Sequence, residues 1–187
     1  MGELKSPNPV QYFASIIFRD EVRMEIAKGN LGEILGNVGE STKPAPFYQT
    51  DYYKKEMGKD LSRVFLLFNS LVSRERLSEI KLRTNDIERL LSVDGRRTVN
   101  IDPGYVSLEN VVLATTKGYS HRIYLGAGIY ADLTLVYYNG AYKPLDWTYP
   151  DYGSEEIRSL FNRWRASLKE EMRGPGQSPK ANLRNLS

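Results

Sequence analysis

The chain has 187 residues, of which 41% are hydrophobic and 26% are charged, proportions that are ordinary for a globular domain. It contains no cysteine, which excludes disulfides, thiol nucleophiles and thiolate metal sites. No apolar run approaches the roughly 20 residues of a membrane-spanning helix. We therefore expect a cytoplasmic protein without a membrane partner.

Charge is distributed unevenly along the chain. The formal net charge is +3, from 26 basic and 23 acidic residues, and the segment 173–187 carries three basic residues and no acid. Residues 1–172 are therefore formally neutral. We expect 1–172 to form a single α+β domain and 173–187 to form a disordered basic tail. A neutral body argues against a broad nucleic-acid footprint.

The first half alternates between apolar runs and helical patterns. In chain order, the predicted elements are a strand at 10–18, a helix at 20–35, an extended edge segment at 41–47, a helical turn at 50–58, a strand at 61–72, a helix at 73–93 and a strand at 98–102. Asp20 is a predicted N-cap, and Gly36 is a predicted helix stop. Pro103 and Gly104 predict a turn at 102–105.

The helix predicted at 73–93 carries a polar set beside its apolar stripe. Lys81, Asn85 and Glu88 are spaced i, i+4 and i+7, so they share one face. This set is either a solvated helix edge with a Lys–Glu pair, which we favour, or the lining of a groove between helix and sheet.

The second half predicts a β-meander and a closing helix. Its strands are expected at 111–117, 121–125, 129–138 and 142–147, and its helix at 154–172. The fold class is α+β, with a largely antiparallel sheet, a ferredoxin-like βαββαβ first half, a C-terminal β-meander, a closing helix, and helices gathered on one face.

The segment 119–138 alternates strictly between an apolar and a polar-aromatic face. A three-residue loop at 126–128 preserves this alternation in a hairpin, and it sets Tyr124 opposite Tyr130 and Arg122 opposite Asp132. The Arg–Asp pair is either structural, which we favour, or part of a ligand site. By alternation His121, the only histidine, lies on the apolar face.

Several segments together resemble a prokaryotic family, domain-of-unknown-function family 4416. They are TDYYKKEMG, IKLRTNDIE, RRTVNIDPGY, VVLATTKGYSHRIYLGAGIYADLTL and WTYPDY. The resemblance spans nearly the whole chain and implies no established activity, although some members carry the label "GTP-binding protein". The glycine-rich segment 29–41 lacks the G-x-x-x-x-G-K-[ST] spacing of a phosphate-binding P-loop. A P-loop GTPase is therefore excluded, and any nucleotide should bind elsewhere than at 29–41.

The first functional hypothesis is a protein that binds a small anionic ligand, such as a nucleotide or phosphate ester, and is possibly an enzyme. The candidate ligand-binding residues are Arg97, Asn100, Lys117, Arg122, Tyr124, Tyr130 and Trp147. The catalytic candidates are His121, Asp102 and Asp132. The alternatives are a single-stranded RNA-binding module, which is not favoured, and a structural or partner-binding protein without a ligand.

No metal site is predicted, although Asp102, Asp132 and Asp151 are carboxylates that Mg²⁺ could use. The sequence identifies no cofactor and no oligomeric state.

Overall fold

The computed structural model describes residues 2–49 and 53–173, and these form helices around one antiparallel sheet. The strands are β1 (Val10–Phe18), β2 (Val38–Ser41), β3 (Ala45–Pro46), β4 (Ser62–Val72), β5 (Val99–Val106), β6 (Asn110–Thr115), β7 (Arg122–Gly126), β8 (Ile129–Tyr138) and β9 (Ala141–Pro144). The helices are α1 (Glu21–Leu35), α2 (Lys54–Met57), α3 (Leu77–Leu90), which follows a 3-10 turn at Arg74–Arg76, and α4 (Glu155–Arg173). The α+β class is confirmed. None of the described helices is long and apolar enough to cross a membrane.

The main strand order is β2-β4-β1-β5-β6-β8-β7, with β3 also pairing with β4 and β9 with β8. All of these pairs are antiparallel. In the first half, the order β2-β4-β1-β5 with crossover helices α1 and α3 is the order that a βαββαβ unit produces. β3 and α2 are an insertion between β2 and β4. The start of the helical turn predicted at 50–58, and the tail predicted after Arg173, lie outside the described residues.

Helices cover both faces of the sheet, so the prediction that they gather on one face is wrong. Ile16 of β1 belongs to the core under α1 and α3, whereas Phe13 of the same strand packs against Phe161 and Trp164 of α4. Every residue of β1 is buried. A central strand with two buried faces requires a covering layer on each side, and α4 supplies the second layer.

The glycine-rich segment 29–41 is the end of α1 followed by the edge strand β2, so it contains no phosphate-cradling loop. Asp20 caps α1 by accepting a hydrogen bond from the Val22 amide at 2.9 Å. Gly36 ends the helix in the left-handed region, at φ 85°. Both boundaries follow the sequence prediction.

The C-terminal strands form a meander with one change in order: β7 lies beyond β8 instead of next to β6. The hairpin register is confirmed, with Arg122 opposite Asp132 and Tyr124 opposite Tyr130. The predicted three-residue loop is wrong in detail. Gly126 pairs with Ile129, so Gly126 belongs to β7 and not to the loop. The register shifts between Tyr124 and Gly126, and this shift is why the rest of the hairpin keeps the predicted pairs.

The turn predicted at 102–105 is wrong, because β5 runs straight through Pro103 and Gly104. β6 pairs only with residues 104–106 of β5, so Pro103 lies where β5 loses this neighbour. A residue without an amide hydrogen is tolerated at such a point. Gly104 is required for space, since a Cβ there would lie 2.6 Å from the Val112 carbonyl oxygen and 2.7 Å from the Phe13 ring.

Gly104→Ala should lower the free energy of unfolding by about 1–3 kcal/mol, as overpacking of a core usually does. The matched control is Gly29→Ala in α1, where a Cβ meets nothing within 4 Å. That change should raise stability by up to about 1 kcal/mol through helix propensity. Urea denaturation measures both, and equal stability of the wild type and Gly104→Ala would contradict the close approach of β5 and β6.

Candidate functional site

The sheet forks between β5 and β6. β5 continues along β1 as far as Val99, whereas β6 pairs with β5 only through 111–113 and then follows β8. Within the described sheet, residues 99–103 therefore have a strand partner on one side only. A gap in the middle of a sheet leaves backbone groups that need other partners.

Two side chains from α3 take the place of the missing strand at Ile101. Lys81 Nζ donates a hydrogen bond to the Ile101 carbonyl oxygen at 2.8 Å, and the Ile101 amide donates to Glu88 Oε1 at 2.6 Å. Both charged side chains are buried, with exposures of 6% and 7%. The interpretation of Lys81 and Glu88 as a solvated helix edge is therefore wrong, and they line a groove.

A polar network continues from these residues along β5. Lys81 Nζ lies 3.5 Å from Asp102 Oδ1, and Asp102 Oδ2 accepts from Asn100 Nδ2 at 2.8 Å. Asn100 Oδ1 accepts from Arg97 Nη1 at 2.8 Å, and the same Nη1 lies 3.5 Å from Glu88 Oε2. Burial raises the pKa of Glu88, while Lys81, the Ile101 amide and Arg97 act in the opposite direction.

The short helix α2 is tied to this network through Glu56. Arg97 donates from Nε to Glu56 Oε1 at 2.9 Å and from Nη2 to Oε2 at 2.6 Å, a bidentate pair. These hydrogen bonds lower the pKa of Glu56 and raise that of Arg97. The segment that connects β3 to β4 is thereby fastened to the open side of the fork.

The opposite wall is built by the β7–β8 hairpin. Arg122 donates from Nε to Asp132 Oδ2 at 2.8 Å, from Nη1 to the Lys117 carbonyl at 2.8 Å and from Nη2 to Tyr149 Oη at 3.0 Å. Both Arg122 and Asp132 side chains are 4% exposed. Burial would lower the pKa of Arg122, but Asp132 and Tyr149 together raise it.

The third wall comes from β4 and the segment before α4. Arg63 Nη1 forms an ion pair with Asp151, and its guanidinium lies over the rings of Phe47 and Phe65 at 5.2 and 4.7 Å. Tyr152 Oη is buried beside Ser15, but it makes no hydrogen bond of normal geometry to any described residue.

These walls enclose a cavity of about 560 Å³, which we call the fork cavity. Among the described residues its cationic lining side chains are Arg63, Lys81, Arg97, Lys117 and Arg122, and its acidic ones are Glu88, Asp102, Asp132 and Asp151. Its volume is within the roughly 300–1,000 Å³ of small-molecule pockets.

The fork cavity brings together most of the polar residues named from the sequence and leaves the aromatic ones outside. Arg97, Asn100, Asp102, Lys117, Arg122 and Asp132 line it, whereas Tyr124, Tyr130, Trp147 and His121 do not. Tyr124 and Tyr130 contact each other at a ring distance of 5.2 Å beside the cavity. The aromatic wall is supplied instead by residues that include Phe47, Tyr53 and Tyr149.

His121 does not point into an apolar layer, as alternation suggested, because it precedes β7 and is outside the ladder. Its Nε2 lies 3.5 Å from Asp132 Oδ2, and its ring stacks on Trp147 at 5.1 Å. His121 therefore contacts the cavity wall from behind through Asp132. Trp147 is held by a hydrogen bond from Nε1 to the Leu133 carbonyl at 2.8 Å.

Sequence reasoning missed Arg63, Glu56 and Tyr53. Arg63 is the one arginine in an otherwise apolar run (VFLLF follows it), and that was an available signal. Glu56 and Tyr53 belong to an insertion whose position depends on tertiary contacts.

Asp102, Asp132 and Asp151 all line the fork cavity, but each has its own basic neighbour: Lys81, Arg122 and Arg63 respectively. Within residues 2–49 and 53–173, no three histidine or acidic side chains converge as a metal-binding group.

Glu88→Ala should lower the free energy of unfolding by about 1–3 kcal/mol, because the buried Ile101 amide loses its acceptor. Glu88→Gln keeps an acceptor oxygen and should cost less. The control is Glu79→Ala on the same helix, an exposed partner of Arg76 that should cost under about 1 kcal/mol. Hydrogen exchange at the Ile101 amide is the direct measurement, and unchanged exchange in Glu88→Ala would refute the assignment.

Glu88 and Glu56 should give stability opposite dependences on pH. The pKa of Glu88 is raised above its ordinary 4.5, so the native state binds the proton more tightly than the unfolded chain. Wild type should therefore lose stability relative to Glu88→Gln as pH rises above 4.5. The pKa of Glu56 is lowered, so the advantage of wild type over Glu56→Gln should shrink as pH falls below 4.5.

Urea denaturation of the three proteins from about pH 3 to pH 7 measures both slopes. Parallel curves for wild type and both variants would show that neither carboxyl group has the assigned environment.

Comparison of the chain with curated proteins and with solved structures found no match. A family model described as "Domain of unknown function (DUF4416)" matches residues 8–168. This range includes β1 through most of α4 and all the walls of the fork cavity. The family that the sequence motifs resembled is confirmed, and the chain belongs to the DUF4416 family.

Proposed function

We propose that the protein binds a small anionic molecule, a nucleotide or another phosphate ester, in the fork cavity. The observation that carries this proposal is the convergence of five cationic and four acidic side chains on a cavity of about 560 Å³ within the described fold. The described lining therefore keeps a formal excess of one positive charge (5 − 4), which favours an anion in a partly enclosed space.

Two of the arginines have hydrogen-bond donors left for such a ligand. A guanidinium has five N–H groups. Within the described residues, Arg122 uses three of them and Arg63 uses one, its bond to Asp151. The unused donors suit a phosphate or carboxylate, which accepts hydrogen bonds from an arginine fork in two places.

Apolar surface in the fork cavity supports the same proposal. The rings of Phe47 and Tyr53 offer apolar surface for the remainder of the molecule, as a base or another planar group would require.

Two of the three catalytic candidates named from the sequence line the cavity. Asp102 and Asp132 are the catalytic candidates that face a bound molecule, whereas His121 reaches the cavity only through Asp132. The proposal is therefore one of binding.

The test is a calorimetric and thermal-shift screen of inorganic phosphate, GTP, ATP and sugar phosphates on wild type, Arg122→Lys and Thr116→Trp. Arg122→Lys retains charge but loses the fork, and Thr116→Trp blocks the cavity at an exposed lining residue. Each change should weaken the binding of any compound that binds the wild type by about tenfold or more. For Arg122→Lys the reason is that one charge-assisted hydrogen bond is worth roughly 1.5–3 kcal/mol; for Thr116→Trp it is the loss of space.

The matched controls are Arg163→Lys, which alters an arginine paired with Glu40 away from the cavity, and Ser120→Trp, which adds the same bulk at a residue that does not line it. Both controls should bind as wild type does. The proposal fails if no compound stabilises the wild type, or if a ligand is retained in full by Arg122→Lys and Thr116→Trp.

A further inference from the structure

In the part of the chain that the structure describes, the outer edge of the sheet at β7 is unprotected. Its side chains Ile123, Tyr124 and Leu125 are 70%, 60% and 40% exposed. The strand's one charged residue, Arg122, is turned into the fork cavity and paired with Asp132. An exposed apolar edge strand is a template for pairing with another strand.

The other edge strands of the described sheet carry the usual protection. β2 includes the exposed Glu40, β3 includes Pro46, and β9, which shares the outer edge with β7, includes the exposed Lys143 and ends at Pro144. Charges and prolines on an edge oppose association with a further strand. The contrast singles out β7.

The backbone of β7 also faces outward at its centre. The Arg122 amide donates to the Tyr119 carbonyl at 3.0 Å and so does not pair with β8. Amide direction alternates along an antiparallel strand. The amide and carbonyl of Tyr124, two residues on, therefore point to the open edge.

From these observations we infer that β7 pairs with β7 of a second copy of this chain, antiparallel and centred on Tyr124. A two-fold axis normal to the sheet keeps the faces of both sheets aligned, so only residues of the same parity can be opposed. Centring on Tyr124 opposes it to its own copy and uses the full length of the strand. The sheets of the two copies then become continuous.

A second copy suits this edge because β7 is symmetric in its chemistry. Apolar Ile123 and Leu125 flank the centre, so each meets an apolar neighbour when the strand is reversed. The exposed side chains of β7 are uncharged, so pairing β7 with its own copy places no like charges opposite each other. The same arrangement at β9 would bring Lys143 of both copies together, which β9 therefore disfavours.

The first experiment is sedimentation equilibrium of the full chain over a range of concentrations, for wild type and Ile123→Lys. Wild type should dimerise, and the variant should raise the dimer dissociation constant by more than about tenfold, as loss of a central interface residue does. The matched control is Tyr138→Lys, which changes a side chain of similar exposure (64%) on β8 and should leave the dimer intact. Circular dichroism checks that each variant is folded.

A second experiment uses the absence of cysteine from the chain. Tyr124→Cys should give a covalent dimer with a short bis-maleimide, and Tyr138→Cys should give little. The inference is overturned if wild type is a monomer at every concentration, or if Ile123→Lys stays dimeric and cross-linking favours position 138. It is also overturned if wild type is monomeric and single-stranded RNA binds in an Ile123-dependent way, because the edge would then be an RNA surface.

Discussion

The two hydrogen bonds that α3 gives to Ile101 allow the sheet to open. In a regular sheet the amide and carbonyl of Ile101 would pair with β6, and leaving both groups buried without partners would cost about 1–3 kcal/mol each. Lys81 and Glu88 supply the donor and the acceptor at ladder-like distances. β5 and β6 can therefore diverge without leaving the Ile101 amide and carbonyl unpaired, and the space between them becomes the fork cavity.

The same solution determines the chemistry of the cavity. Placing a lysine and a glutamate inside the fold requires further partners, because an isolated buried charge is heavily penalised. Asp102 forms an ion pair with Lys81, Arg97 forms one with Glu88, and Glu56 forms one with Arg97. The unpaired backbone of Ile101 thus accounts for a series of ion pairs that extends away from it. The polar groups of the cavity are therefore already oriented by their neighbours.

Local patterns predicted the parts of this fold that local physics decides. The bounds of β1, the caps of α1 and the register of the β7–β8 hairpin follow from periodicity, capping and parity. The fork could not be predicted, since Pro103 and Gly104 read equally well as a turn until the neighbours of β5 are known. The alternation of side chains along the strand also predicted the correct face of the sheet for Tyr124 and Tyr130. It did not predict that both residues lie outside the cavity, because alternation specifies a side of the sheet and not a position along it.

Tyr130, one of the aromatic residues predicted to bind a ligand, lies against the connection that forms the cavity wall. The connection from β6 to β7 crosses β8, and Gly118 lies against Tyr130 so closely that a Cβ would be 3.1 Å from the ring. This contact positions Lys117, whose carbonyl receives one arm of Arg122, while Tyr149 receives another. A structural role for Tyr130 is therefore compatible with the binding role proposed for Arg122. The Tyr130 ring lies against the connection whose Lys117 carbonyl accepts a hydrogen bond from the guanidinium.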